Sequence, residues 1–278
     1  MNAISSDVDR PPAANGPFLK TAFVLWLLGL VGGILVLPYV ASLEPKAIAA
    51  AAARYHIAPY QVMALSIAQT AVFLAVAVVV GLWAARKLGL GTPLIAACIS
   101  HQPAPKNTGW TLLLAVAAGI AAAFAILALE RYVFAAIPSV AALTHTVRNA
   151  SSQPAAWQGF LASFYGAFDE EILLRLGMLS LLALVFRTLA RMAGTDRKAA
   201  LPSGVFWAAN VVAAVLFGLG HLPATAALAP LTPALVLRAV VLNGTAGLVF
   251  GALYRRFGLE WAMASHFSAD IVLHVALA

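Results

Sequence analysis

The sequence predicts an all-α fold, a polytopic membrane helix bundle of about seven transmembrane helices, and three observations carry that prediction. Of the 278 residues, 63% are hydrophobic and only 10% are charged, against about 45–50% and about 25% in soluble domains. Apolar runs of about 20 residues, the length that crosses roughly 30 Å of hydrocarbon, succeed one another along the chain. The connectors between them are short, and none could fold as a separate domain.

The chain divides into a polar tail, residues 1–17, read as disordered and cytoplasmic. Residues 18–155 follow as N-terminal transmembrane helices and connectors, then residues 156–278 as the core that carries most of the intramembrane charge. Phe18 to Ala41 is the first span. It is longer than the apolar core of a signal peptide and is read as retained, with a Gly29-xxx-Gly33 pair suited to close helix packing. Glu44 to His56 is alanine-rich and reads as an interfacial helix. Ile57 to Ala85 is the second span, ended by Arg86-Lys87.

Leu88 to Thr108 is a Gly- and Pro-containing connector. Its apolar middle, Leu94 to Ile99, is too short to cross and is the candidate for an eighth or re-entrant segment. Gly109 to Ala136 is the third span and Ser139 to Pro154 a polar connector. Trp157 to Phe186 is the fourth span, followed by a basic loop, Arg187 to Leu201. Val205 to Leu222 is the fifth, closed by Pro223; Pro233 to Tyr254 is the sixth; Leu259 to Ala278 is the seventh.

The net charge of +7 does not indicate nucleic acid, because no polar basic domain exists to hold it. Cations flanking apolar spans suit anionic lipid and the positive-inside bias. With seven spans, eleven Lys and Arg fall on the side of the N-terminus and four on the other. That count predicts a cytoplasmic N-terminus. The alanine-rich composition suggests a bacterial cytoplasmic membrane, with membrane lipids as surroundings. A single cysteine, Cys98, excludes an internal disulfide and reads as a packing residue.

The fourth span contains Asp169-Glu170-Glu171-Ile172-Leu173-Leu174-Arg175. Each charge at the centre of a membrane helix costs roughly 2.5–3.5 kcal/mol on insertion scales, so a cluster of four is paired or used. Glu171 and Arg175, four apart, share a face and can pair. Glu170 sits about 100° round the helix and is free for another partner. Phe217 and His221 are also four apart, and so are His266 and Asp270; the last spacing suits a carboxylate that fixes a histidine tautomer, or two groups aimed at one reacting atom.

A glutamate and two histidines on three helices fit two chemistries. Glu170 can be a general base for water, with the histidines holding water and stabilising an oxyanion. Alternatively, Glu170, His221 and His266 can bind Zn²⁺ with an open water position. No zinc signature such as HExxH is present. Composition does not separate the two; the metal-free, cofactor-free chemistry is preferred on that absence together with the family resemblance that follows, with zinc as its alternative.

In order, spacing and placement, Glu170-Glu171-xxx-Arg175, Phe217-xxx-His221 and His266-xxx-Asp270 resemble the motifs of the CAAX-protease and bacteriocin-processing (CPBP, or Abi) family. This family of intramembrane endopeptidases includes the type II CAAX prenyl protease. The resemblance covers roughly residues 160–278, including Leu216-Phe217-Gly218-Leu219-Gly220-His221-Leu222 and the Gly247-xxx-Gly251 helix. It implies a peptidase whose substrate is a peptide or membrane protein, lipidated in the family's best-known case. It further implies Glu170 as base, His221 sharing the activated water, His266 and the residue four later stabilising the oxyanion, and Glu171 with Arg175 in support. That later residue is commonly Asn in the family and is Asp270 here. A carboxylate donates to an oxyanion only when protonated, and when ionised it would instead orient His266.

Two other functions use the same residues: a proton-linked transporter, since intramembrane acids and histidines form relays, and a non-enzymatic membrane scaffold in which they are structural pairs. Asp169 reads as facing a helix end or water, Arg238 as snorkelling to an interface, and His274 as an ordinary packing histidine. Counted from the predicted helix starts at 1.5 Å per residue, Glu170, His221 and His266 lie about 14, 17 and 8 residues in. The helices must therefore tilt or start at different levels if the three are to meet.

Overall fold

A computed structural model describes residues 16–148, 153–194 and 201–277. Most of the polar tail, residues 149–152 of the third connector and residues 195–200 of the basic loop lie outside the described residues. All regular structure among the described residues is helical: α1 Phe18–Leu35, α2 Leu37–Leu43, α3 Pro45–Tyr55, α4 Pro59–Leu88, α5 Pro93–Ile99, α6 Thr108–Leu129, α7 Pro138–Arg148, α8 Ala156–Tyr165, α9 Ser180–Met192, α10 Ser203–Gly220, α11 Leu222–Leu228, α12 Pro233–Arg256 and α13 Leu259–Ile271. Four π-wound segments, Glu130–Phe134, Gly166–Glu170, Ile172–Leu179 and Val272–Ala276, extend or join them.

Among the described residues, six helices are long and apolar enough to cross a membrane: Phe18–Leu43, Pro59–Leu88, Thr108–Phe134, Ala156–Met192, Ser203–Leu228 and Pro233–Arg256. The seventh predicted span, α13 with its π-wound end, is diluted by Glu260, His266, Asp270 and His274. It is nevertheless central, packing against α6, α8, α12 and the π-wound Gly166–Glu170 segment. The bundle shows its surroundings an apolar skin. On α1, Leu19, Phe23, Leu27, Val31 and Ile34 are all exposed and recur at helical spacing, the stripe expected of a lipid-facing helix rather than of a soluble surface.

Inside, Leu25, Leu74, Ile172, Leu176, Leu179, Phe206, Phe250 and Leu259 form the main core. Water exclusion contributes little to association between helices already in lipid, so close approach and packing must hold them. At Gly119 of α6, an added Cβ would run into the carbonyl of Ser265 on α13. Gly29 meets the Leu74 side chain, so the predicted glycine pair of α1 does pack, against α4.

Several expectations change in detail. The connector after the third span is helical over Pro138–Arg148, because Val140 and Leu143 bury against Phe134, Leu235 and Leu242. The fourth span runs on to Met192, so Arg187 and Arg191 are helical rather than loop residues. The fifth does not stop at Pro223. α10 ends at Gly220, His221 stands at the joint, and α11 begins again with Pro223 in its first turn, where its missing N–H costs nothing. Cys98 is exposed rather than packed. Arg238 does not snorkel. It pairs through Nε and Nη2 with both carboxylate oxygens of Glu130, at 2.8 and 3.1 Å.

The depth mismatch is resolved by α5. This short helix is too short to cross, as expected, and covers the start of α13. The Leu259 N–H donates to the Gly91 carbonyl at 3.0 Å, and Glu260 Oε1 accepts the Ile95 N–H at 2.8 Å. With Leu259 and Trp261 buried, α13 starts inside the bundle and His266 reaches the level of Glu170.

Candidate active site

The charged stretch of the fourth span lies where the helix is wound most loosely, with Glu171 between the two π-wound segments. Such segments shift the faces on which side chains emerge and are frequent at functional sites. Both glutamates reach the same imidazole. Glu171 Oε1 is 2.7 Å from His266 Nδ1, and Glu170 Oε2 is 3.6 Å from His266 Nε2. The two acids point apart as expected, but the ring offers a nitrogen on each edge, so they share one partner. Glu171 Oε1 also forms the predicted ion pair with Arg175 Nη1, at 2.9 Å. Glu171 and Arg175 are buried, whereas Glu170 retains 20% side-chain exposure.

The aromatic groups complete this support. The Arg175 guanidinium lies 4.8 Å from the Phe217 ring centroid and 5.2 Å from that of Phe250, a cation–π arrangement on two faces. Phe250 stacks on His266 at 4.6 Å between centroids. Phe217 lies edge-on to both His221 and His266, at 4.9 and 6.0 Å. His221 Nδ1 is 2.9 Å from the Phe217 carbonyl. A carbonyl only accepts, so Nδ1 carries the hydrogen and Nε2 offers a lone pair. The structure thus brings Glu170, Glu171, Arg175, His266 and Asp270 into one network, with His221 on the neighbouring wall beside Phe217.

Asp270 Oδ1 is 3.7 Å from His266 Nε2. The expected pairing is present, but the tautomer-fixing role is not open to Asp270, since Glu171 already holds Nδ1 at 2.7 Å. Asp169, expected at a helix end or in water, is fully buried. It faces the backbone of α1 at Gly32 and Gly33, and neither carboxylate oxygen has a hydrogen-bond partner among the described residues. His274 is not a core histidine: it is 41% exposed and stands 3.9 Å from Asp270 Oδ1.

Sequence reasoning missed Phe250, Gly166 and Tyr39. A Cβ on Gly166 would run into Asp270 Oδ2 and lie 3.0 Å from His266 Nε2. The Tyr39 ring lies edge-on to His274 at 5.8 Å. Of the three, only Gly166 left a trace in the sequence, as one of two glycines seven residues apart in the fourth span. Among the described residues no group of three or more His, Cys, Asp or Glu side chains is arranged to hold a metal ion, while the contact of Glu171 with His266 Nδ1 leaves Nε2 open to either a hydrogen bond or a metal.

No curated protein and no solved structure gives a significant match to the chain. A family model does match, that of the type II CAAX prenyl endopeptidase Rce1-like proteins, over residues 152–272. The matched stretch contains every residue of the network above. It is a family of peptidases, which favours hydrolysis over the transporter and scaffold readings. Six membrane-length helices among the described residues mark a multi-pass integral membrane protein, and its residues 152–272, which carry the network, match the model of the type II CAAX prenyl endopeptidase Rce1-like proteins.

Proposed function

We propose that the chain hydrolyses a peptide bond of a membrane-associated substrate, with water activated by Glu170 and without a metal. The observation that carries this reading is the division of labour around His266. One nitrogen is held by buried Glu171 and the other faces both Glu170 and Asp270, at 3.6 and 3.7 Å. Glu170 is the more exposed of the two adjacent acids and can meet water, while Glu171 cannot.

Glu170 takes a proton from water as the oxygen attacks the scissile carbonyl carbon. His221 Nε2 accepts the water's second hydrogen and orients it. The carbonyl oxygen becomes an oxyanion, stabilised by N–H from His266 and O–H from protonated Asp270. Glu170 then returns its proton to the leaving nitrogen, the C–N bond breaks, and a carboxylic acid and an amine result. The Glu171–Arg175 pair fixes the His266 ring, so no reorganisation is needed as charge develops. The name of the matching family makes a prenylated peptide ending in Cys-aliphatic-aliphatic-X the first substrate to try.

The test is cleavage of an internally quenched farnesylated peptide of that type by purified protein in detergent. Glu170→Gln is expected to lose about 10²–10⁴-fold in kcat with its thermal midpoint unchanged. A folded Glu170→Gln protein that still cleaves would remove Glu170 as the base.

A further inference from the structure

The network does not end at Asp270. His266, Asp270 and His274 are spaced four apart, and the π-wound turn Val272–Ala276 keeps His274 beside Asp270. They lie in sequence from the buried centre to the end of the bundle, over about 12 Å of helix. Exposure rises along that line, from 7% at His266 to 13% at Asp270 and 41% at His274. The fourth span follows the same line. Gly159 of α8 abuts the His274 carbonyl and Gly166, in the π-wound segment that follows α8, abuts the Asp270 carboxylate, so the fourth span presses both levels of the last helix.

We propose that His274 is the proton port of the site: a positioning residue through which Asp270 is protonated from water at the bundle end, so that Asp270 can donate to the oxyanion. This rests on the hydrolytic reading above. It answers the question raised by a carboxylic acid in that position, since an ionised Asp270 has no hydrogen to give, and Glu171 already does the orienting that an ionised Asp270 could have done. In the transfer, the N–H bond of the His274 imidazolium breaks and an O–H bond forms on Asp270. The neutral imidazole is then reprotonated by a hydronium ion from the bundle end, whose O–H bond breaks to leave water, and no further group changes its bonding. The separations of 3.7 and 3.9 Å are those of a resting site, where such contacts are commonly looser than in the substrate complex.

The groups facing His274 are Asp270 and His266 on its own helix, Glu170 on the fourth span, His221 at the α10–α11 joint, and Tyr39 on α2. α6 and α8, which also pack on this turn, have no Asp, Glu, Lys, Arg or His in their sequences. Asp270 is the acid in ion-pair reach of His274, and Tyr39 is the ring that flanks it.

The test is His274→Gln in the full chain, with the farnesylated peptide as probe. Its kcat should fall on the order of 10–100-fold at neutral pH with KM unmoved. The kcat–pH profile should lose the limb that reports the pair, and added imidazole should restore part of the rate. An unchanged pH profile, or a loss that imidazole leaves untouched in a folded variant, overturns the port. A second measurement needs no substrate: the nuclear magnetic resonance titration of His274 in the wild type and in Asp270→Asn. Coupling requires that the substitution move the His274 midpoint. If the wild type does not cleave the peptide, the hydrolytic reading fails for that substrate, and this titration still decides the port. A midpoint that stays in place overturns it.

Discussion

Gly166→Ala perturbs the site through shape alone, with no change of charge. The added methyl group would collide with Asp270 Oδ2 and stand 3.0 Å from His266 Nε2 and 3.3 Å from Asp270 Cγ. Optimal non-bonded separations are about 3.5–4.0 Å, so His266 Nε2 must retreat by roughly 0.5–1 Å and the colliding Asp270 oxygen by more than that. A displacement of about 1 Å in a positioned catalytic group costs on the order of 10²-fold, or about 2.7 kcal/mol of transition-state stabilisation. The fold should suffer less. Overpacking costs about 1–3 kcal/mol, and alanine in a helix returns roughly 0.5–1 kcal/mol relative to glycine. The expected result is therefore a variant that folds in detergent with a small drop in thermal midpoint and loses most of its kcat/KM on the farnesylated peptide. Gly109→Ala is the control, because a Cβ there meets nothing within 4 Å. Wild-type kcat/KM in Gly166→Ala would refute the reasoning, because it would mean that the Asp270–His266 geometry beside Gly166 does not govern the reaction.

Two further substitutions separate a buried pair from a half-exposed one. Glu171→Gln keeps the shape of the side chain but leaves the buried Arg175 without its anion, so the thermal midpoint should fall with a cost of about 3–5 kcal/mol. Adding Arg175→Gln should recover part of that loss in a double-mutant cycle; strict additivity would show that the pair is not coupled. Arg238→Met breaks the Glu130 pair, whose side chains are about a quarter exposed. A cycle with Glu130→Gln should give a coupling of about 1 kcal/mol or less and leave cleavage unchanged, and a large loss of kcat would place that pair in the reaction instead.

The spans were legible because apolar length is a local property, and the motif pairs were legible because a spacing of four puts two residues on one helix face wherever the helix ends up. What was not legible depended on contacts between segments. Nothing in the sequence around Asp169 announces that α1 passes so closely at Gly32 and Gly33 that the carboxylate is buried. Nothing around Arg238 points to Glu130, which is more than a hundred residues away. The spacing of four suits Asp270 either to orient His266 or to share a reacting atom with it. In the structure Glu171, on another helix, stands closer to the ring, at 2.7 Å against 3.7 Å for Asp270. Spacing arguments favour partners on the same helix, and a histidine read singly, as His274 is, gives no sign of the carboxylate 3.9 Å away.

α13 shows how the site and the fold depend on each other. Its Glu260, His266, Asp270 and His274 dilute its apolar character, and Asp or Glu at membrane depth is opposed by on the order of 2.5–3.5 kcal/mol. Each of these groups has a neighbour outside α13. Glu260 accepts from Ile95 on α5, His266 is held by Glu171 and faced by Glu170, Asp270 lies against Gly166, and His274 is flanked by Tyr39. The interactions that offset the cost of burying this helix are thus largely those that build the site. The same polar groups that make α13 a poor transmembrane segment on its own give it one acceptable position, with His266 between the two acids of the fourth span. Catalytic geometry and the placement of the last helix are then one problem with one solution, and a substitution that loosens Glu171 acts on both.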